Sequence, residues 1–284
     1  MDPSRVLSEL SEYKDDLQSA MTLLREISRL NGDPARNLSK LKERLNRLDG
    51  VAKQLAQQPY EMQKLQNWAS QFKQELQSIE AQLRKRFGTE LEQELKKIGL
   101  PLLGQYPELR SGLFTLELDF DRGSVMIWYG PKQERLARCP LSPTEVGKCL
   151  EKVTQQLGAQ LGEEEFLKKL HTAYRRALFT TGSKNGDRVP IIGVLSEFAY
   201  LLQNSRFLQD PRRENYRGYS RADFSYDLFR IGQSRPRTPL ADRLQLVVAT
   251  RAYTRRRRDF LWVPDDESGS GATYSHLQFK EIAL

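Results

Sequence analysis

Apolar residues recur every three or four positions along the first third of the chain, in three separate runs. The first run extends from Val6 to Ile27, the second from Leu38 to Leu55 and the third from Met62 to Ile98. A 3.5-residue repeat places a narrow apolar stripe along one side of a helix, and such a stripe is buried only against another helix. The pattern therefore predicts three helices, which cover about residues 4–30, 36–57 and 60–98.

Breaks in this pattern define residues 1–99 as a helical arm. Asn31–Pro34 ends the first helix, Pro59 ends the second and Gly99–Pro101 ends the third. At 1.5 Å per residue the third helix is about 58 Å long and the second about 33 Å, so part of the third stripe lacks an internal partner. We expect another protein or a second copy of the chain to complete it, and packing within the chain is the alternative. The residues predicted to bind this partner are Leu10, Leu17, Leu24, Leu76, Ile79 and Leu83.

Residues 100–284 have the pattern of an α+β domain. Phe114–Phe120 alternates between apolar and polar residues and Val125–Tyr129 follows after a turn, as is typical of half-buried strands. Helices are predicted at 143–158, 163–180 and 189–205, and further strands at 134–138, 224–231, 244–252, 259–263 and 274–282. We therefore predict a coiled-coil or helical-hairpin arm followed by a mainly antiparallel sheet domain with about three packed helices.

Composition narrows the class of protein. The sequence has no stretch of about 18 apolar residues, so it predicts no membrane span. Its first residues lack the basic and then apolar order of a secretory signal. Cys139 and Cys149 are the only cysteines, which favours a reducing, cytoplasmic compartment. Neither cysteine forms a metal-ligand spacing with His171 or His276, and no phosphate-binding loop motif is present. We expect no cofactor and no metal.

Positive charge is concentrated in one segment. The net charge is +8, and residues 205–258 contain 14 arginines, no lysine and five acidic residues. Guanidinium groups bind phosphate oxygens through paired donors, which gives sequence-independent, salt-sensitive binding to nucleic acid. Arg255–Arg258 is predicted to lie where two strands join, and a solvated strand edge or a dock for an acidic protein are the alternatives. The candidate nucleic-acid contacts are Arg212, Arg213, Arg217, Arg235, Arg237, Arg243, Arg251, Arg255, Arg256, Arg257 and Arg258.

Tyrosines alternate with arginines between residues 212 and 221. Tyr216 and Tyr219 are candidates for stacking on unpaired bases while neighbouring guanidinium groups bind phosphates. The alternative is an irregular loop whose tyrosines pack on the domain and whose arginines are exposed.

A short pattern near the end of the sequence resembles the signature of metal-dependent nucleases. Pro264 and Asp265 are followed by Gln278, Phe279 and Lys280 on an apolar segment. In that chemistry Asp265 binds Mg²⁺, and Lys280 orients the attacking water or steadies the phosphate. Nucleases of this kind place a further helix and strand after the lysine, whereas four residues follow Lys280 here. The pattern therefore defines an alternative function rather than the leading one.

These observations favour a non-catalytic accessory subunit of a multi-protein assembly that processes nucleic acid, with bacterial genome maintenance or anti-phage defence as a setting. Its coiled coil would mediate assembly, and its Arg-rich region would contact the DNA backbone. The alternatives are a Mg²⁺-dependent nuclease that uses Asp265, Gln278 and Lys280, and a scaffold that binds an acidic protein.

Overall fold

A computed structural model describes residues 3–56, 63–234, 236–256 and 259–280 of the protein. The chain divides into two compact units. The first contains Met1–Leu91 and the turn Asp119–Gly123, and the second contains Glu92–Leu118 and Ser124–Leu284. The predicted boundary at residue 99 therefore falls within the second unit.

The first unit contains two of the three helices that the apolar repeat predicts and most of the third. They are α1 (Pro3–Leu30), α2 (Pro34–Ala56) and α3 (Gln63–Lys97). Asp33 caps α2 by accepting a hydrogen bond from the backbone N–H of Arg36 at 3.2 Å, and the Asn37 amide donates to the carbonyl of Leu30 at 3.1 Å. The turn between α1 and α2 is thus fixed by side-chain hydrogen bonds at both helix ends.

The apolar stripe of α2 is buried within the chain itself. Leu41, Leu48 and Leu55 are fully buried in a core that also contains residues of α1 and α3. Packing within the chain, the alternative in the sequence prediction, therefore accounts for this stripe. Burial of leucines in such a seam stabilises a helical unit by about 2–3 kcal/mol each.

Most residues predicted to bind a partner through the arm contact this internal core. Leu76 is buried, and Leu17, Leu24 and Leu83 are half-buried and pack against the same core. Ile79 is half-buried, and Leu10 lies outside the residues whose side chains are described. Binding of a second chain by this stripe stays a prediction, because these leucines already have apolar neighbours within the chain.

The second unit confirms the α+β class. Its first sheet is an antiparallel meander of neighbouring strands β1 (Leu103–Gln105), β2 (Glu108–Ser111), β3 (Phe114–Asp119), β4 (Ser124–Tyr129) and β5 (Glu134–Pro140). The predicted alternation is visible in β4, where Val125, Ile127 and Tyr129 are fully buried and the residues between them are half-buried. Leu109 pairs with Leu116, and Ile127 pairs with Ala137, so apolar residues face one another across the sheet.

The helices of this unit pack around a second apolar core. Within the described residues they are α4 (Pro143–Gln156), α5 (Glu163–Thr181), α6 (Ile191–Leu201), α7 (Ser205–Gln209), α8 (Arg221–Ser234) and α9 (Pro239–Arg243). The first three agree with the predicted helices, whereas the predicted strand at 224–231 is wrong because this segment lies in α8. Phe166, Phe198 and Phe224 are fully buried in the core, which draws on α5, α6 and α8.

A second, smaller sheet is built around the last strand of the unit. Its strands are β6 (Val189–Pro190), β7 (Leu244–Val248), β8 (Leu261–Pro264) and β9 (Gly271–Phe279). All three other strands pair with β9 in antiparallel orientation. The predicted strands at 244–252, 259–263 and 274–282 are thus present, with β7 shorter than predicted.

Among the described residues, no helix is both long and apolar enough to cross a membrane. Cys139 and Cys149 are free thiols.

Candidate nucleic-acid interface

The connection between β7 and β8, residues 249–260, carries the arginine run. The sequence predicts that this run joins two strands, either as a hairpin tip or at a strand end, and β7 and β8 flank it. Val248 and Leu261 both pair with Tyr274 of β9, so β7 and β8 lie on opposite edges of that strand. The connection must therefore cross from one edge of β9 to the other.

Backbone hydrogen bonds occur at three points of this connection. The N–H of Ala249 donates to the carbonyl of Thr273 at 2.7 Å, and the N–H of Tyr253 donates to Thr250 at 2.9 Å where a short 3-10 helix begins. The N–H of Asp259 donates to the carbonyl of Arg256 at 3.0 Å. The first of these joins the start of the connection to β9, and the other two are local to the connection.

Three arginines on the connection are exposed and unengaged. Arg251, Arg255 and Arg256 are exposed, and none of their guanidinium groups has a hydrogen bond or ion pair within the part of the chain that the structure describes. Their charges are therefore available to an outside anion. Arg257 and Arg258 of the same run lie outside the described residues.

A fourth cation lies beside this connection. The ring of Tyr253 packs edge-on against His276 of β9, with ring centroids 5.0 Å apart. Arg188 directly precedes β6, whose Pro190 pairs with His276. Burial lowers the pKa of His276, and the positive charge of Arg188 lowers it further. We call Arg188, Arg251, Arg255 and Arg256 the arginine patch.

Other arginines predicted to bind nucleic acid have internal roles. The Arg217 guanidinium donates to the carbonyl of Ala159 at 2.7 Å, and Arg243 donates to the carbonyl of Lys280 at 2.5 Å. The structure therefore does not place these two side chains with the arginine patch. The remaining candidates are Arg212, paired with Asp210 at 3.0 Å, Arg213 and Arg237, which are exposed, and Arg235, which lies outside the described residues.

The predicted nuclease residues do not converge. Asp265 follows β8, and its backbone N–H donates to Ser270 just before β9 begins, at 2.7 Å. Gln278 and Lys280 lie at the other end of β9, about 27 Å away at the rise of an antiparallel strand. Gln278 donates to Gln245 at 2.9 Å, so its amide is engaged within the sheet. These residues do not form a single metal site.

No group of three or more histidine, cysteine or acidic side chains with metal-binding geometry occurs among the described residues. His171 packs edge-on against Phe279 with ring centroids 5.0 Å apart, which is the environment of a structural histidine. Burial raises the pKa of the Cys139 thiol to about 12. This thiol is therefore protonated, and not nucleophilic, near neutral pH.

A buried carboxylate network joins α8 to the loop between α4 and α5. Asp227 on α8 is 1% exposed and accepts hydrogen bonds from the N–H of Ala159 at 2.7 Å and the hydroxyl of Tyr219 at 2.8 Å. Asp223 accepts from the N–H of Gly158 at 2.9 Å. Arg230 joins the network by donating to Asp227 at 3.2 Å and to a backbone carbonyl of the α4–α5 loop at 2.7 Å. The loop between α4 and α5 is therefore bound to α8 in both directions: its N–H groups donate to Asp223 and Asp227, and one of its carbonyls accepts from Arg230.

This network predicts a pH-dependent difference in stability. The pKa of Asp227 is raised from its usual 3.8, because burial disfavours the charged form by more than the hydrogen bonds from Ala159 and Tyr219 favour it. The folded protein then binds this proton more tightly than the unfolded chain, so its free energy of unfolding decreases as the pH rises above 3.8 through the raised pKa. We expect the stability of the wild-type protein relative to Asp227→Asn to fall over this window and then to level off. Urea unfolding at a series of pH values measures this difference, and a relative stability that increases with pH would contradict it.

No protein-family model, curated protein or solved structure matches the chain.

Proposed function

We propose that this protein is a non-catalytic subunit that binds the phosphate backbone of duplex DNA through the arginine patch, within an assembly that processes nucleic acid. One observation carries the proposal: Arg251, Arg255 and Arg256 are exposed on the connection between β7 and β8, without an anionic partner in the described chain. The helical arm would join this subunit to another protein of the assembly.

The contrast with other cations of the chain supports this function. In the arm, Arg47 pairs with Glu43 at 2.9 Å and Arg86 pairs with Glu90 at 2.6 Å. Such pairs leave little net charge for an outside anion. On the arginine patch the charges reinforce one another, and a guanidinium fork matches phosphate oxygens better than an ammonium group does.

The fold favours contact with the backbone of DNA over reading of its bases. The second unit contains the element order of a winged helix, with β9 between β6 and β7, which is a likeness of topology alone. The side chains of residues 221–231 in α8 are all buried or half-buried, so this helix offers no free face for the major groove. Binding would then depend on phosphate contacts from the β7–β8 connection and would be independent of sequence.

The double variant Arg255→Gln/Arg256→Gln tests this function. Binding of a labelled mixed-sequence duplex, measured by fluorescence anisotropy at several salt concentrations, should weaken by at least about tenfold because two charged hydrogen-bond donors are lost. The slope of log affinity against log salt should shrink by about 1.8, which corresponds to two fewer phosphates neutralised.

The control for this experiment is Arg47→Gln/Arg86→Gln, which makes the same change in net charge at arginines of the arm that are already ion-paired. This control should bind duplex DNA as the wild-type protein does. Equal losses in the two double variants would show a response to net charge alone. Unchanged binding in the patch variant would favour the scaffold that binds an acidic protein, and cleavage of the duplex in the presence of Mg²⁺ would contradict a non-catalytic role.

A further inference from the structure

Three aromatic rings are exposed on neighbouring helical segments of the second unit. Phe179 near the end of α5 is 90% exposed, Tyr200 on α6 is 50% exposed and Tyr216, after a short 3-10 helix, is 47% exposed. Aromatic side chains of this size are normally among the most buried parts of a domain. Their common exposure therefore points to a binding surface.

The rings line two adjoining clefts. One, of about 550 Å³, is lined by Tyr200, Phe207 and Tyr216, and the other, of about 530 Å³, is lined by Arg175, Arg176 and Phe179. The Arg176 guanidinium lies over the Tyr200 ring at 5.5 Å from its centroid and so connects the two clefts. We call this surface, from Phe179 to Tyr216, the aromatic strip.

Positive charge accompanies the rings along the strip. Arg175, Arg206 and Arg213 are exposed, and their guanidinium groups make no hydrogen bond or ion pair with any described residue. Arg176 is 4.0 Å from Glu197, the limit of an ion pair. Arg175 and Arg176 line the cleft of Phe179, Arg206 and Arg213 precede Phe207 and Tyr216 in the sequence, and one acidic residue lines each cleft, Glu134 and Glu197. A single-stranded nucleic acid offers flat bases to the rings and phosphates to the arginines.

The segment that carries Tyr216 is rigidly held. The Phe207 and Tyr216 rings pack edge-on with centroids 5.6 Å apart, and Asn204 caps α7 by accepting from the N–H of Phe207 at 2.9 Å. The Gln203 side chain accepts from the N–H of Arg217 at 2.9 Å and donates to its carbonyl at 3.0 Å. Because the Tyr216 ring is held before binding, little of its conformational entropy remains to be lost when a base stacks on it.

We propose that the aromatic strip binds single-stranded nucleic acid, with bases stacked on Tyr200, Tyr216 and Phe179 and phosphates on the neighbouring arginines. This inference rests on the proposed function in taking nucleic acid as the partner, and it adds a site for unpaired bases to the contact with duplex. Bases within a duplex are stacked on one another, so their faces are not available to these rings.

The secondary structure of the strip argues against an extended peptide as the occupant. A peptide that adds to a protein by strand pairing needs an open strand edge with free N–H and C=O groups. The rings lie on α5, α6 and the segment 205–217, which contains α7 and a short 3-10 helix and so presents no such edge. Stacking and ionic contact are the interactions that this surface offers.

Oligothymidylate and a mixed-sequence duplex, each labelled and measured by fluorescence anisotropy, distinguish the two sites. The variants Tyr200→Ala and Tyr216→Ala should each weaken oligothymidylate binding by about 5-fold to 150-fold, the range measured for loss of one stacked base, and leave duplex binding unchanged. Tyr200→Phe and Tyr216→Phe should retain binding, because a phenylalanine ring still stacks. Leu208→Ala removes an exposed apolar side chain from the same segment and is the matched control.

The outcomes separate this inference from the proposed function. The aromatic strip would be overturned as a single-strand site if oligothymidylate did not bind, or if its binding survived both tyrosine-to-alanine changes. The same conclusion would hold if a peptide were found to bind there instead. A different result would overturn the proposed function and support this inference. In that result single-strand binding depends on the rings, and duplex binding is unchanged in Arg255→Gln/Arg256→Gln. The midpoint of thermal unfolding of each variant should match that of the wild-type protein, because exposed rings are not needed for folding.

Discussion

Replacement of Asp227 with alanine is expected to lower the free energy of unfolding of the second unit by about 3–5 kcal/mol. The change removes the acceptor for the buried N–H of Ala159 and for the hydroxyl of Tyr219. Each unsatisfied buried donor costs about 1–3 kcal/mol. It also takes away one of the two acceptors of Arg230. Urea unfolding monitored by tryptophan fluorescence measures the effect, since Trp128 and Trp262 both lie in this unit.

The matched control is Asp242→Ala, which removes an exposed carboxylate from α9 in the same unit. Surface substitutions of this kind usually change stability by less than about 0.5 kcal/mol. A loss for Asp227→Ala no larger than that of the control would show that the network does not hold the α4–α5 loop. A loss of DNA binding that exceeds the loss of folded protein would instead show that the α4–α5 loop held by Asp227 takes part in binding.

The sequence predicts correctly those helices and strands that bury one face only, because the spacing of their apolar residues then follows the repeat of the helix or strand. In the arm, one stripe of each helix is buried, so a repeat of three and four residues is visible directly in the sequence. In β4, one face is more deeply buried than the other, and alternation reveals the strand. Prolines and glycines near the helix ends add a local signal that does not depend on tertiary contacts.

Helix α8 shows why this correspondence fails elsewhere. Phe224, Tyr226 and Leu228 alternate as in a strand, but Phe224, Leu228 and Ile231 also share one side of a helix. Because α8 is buried or half-buried around most of its circumference, apolar residues occupy several faces and the helical period is obscured. Only packing against β8 and the second core decides between the two structures.

The candidate interface can be predicted from the sequence as a region and not residue by residue. Nothing in the sequence distinguishes one arginine of 205–258 from another. In the structure, some of these arginines donate hydrogen bonds to backbone carbonyls that are distant in the sequence. Arg217 binds Ala159 at a separation of 58 positions, and Arg243 binds Lys280 at a separation of 37. No local pattern reports partners so far away, and the same holds for the exposed rings of the aromatic strip, which come from three different segments.

Substitution of Gly130 by alanine is expected to destabilise the second unit by about 2–5 kcal/mol, through two separate effects. Gly130 has a φ of +56°, which costs an L-residue about 1–2 kcal/mol. A β-carbon at this position would also lie 2.4 Å from the Trp262 ring, and displacing a packed side chain costs about 1–3 kcal/mol. The Trp262 backbone N–H donates to Gln133 at 2.6 Å and its backbone carbonyl accepts from Ser225 at 2.6 Å. The ring itself has little room to move, because a β-carbon on Gly271 would lie only 2.8 Å from it.

Gly182→Ala separates the two effects. Gly182 ends α5 with a φ of +68°, and a β-carbon there would meet no atom within 4 Å, so this variant reports the backbone cost alone. Urea unfolding should show a larger loss for Gly130→Ala than for Gly182→Ala, and the excess should shrink when Trp262→Leu is added to Gly130→Ala. This non-additivity follows from the contact between the two side chains. Equal losses in the two alanine variants would mean that Trp262 relaxes around the new methyl group, and the close approach of β8 to the β4–β5 turn would then be of no consequence for stability.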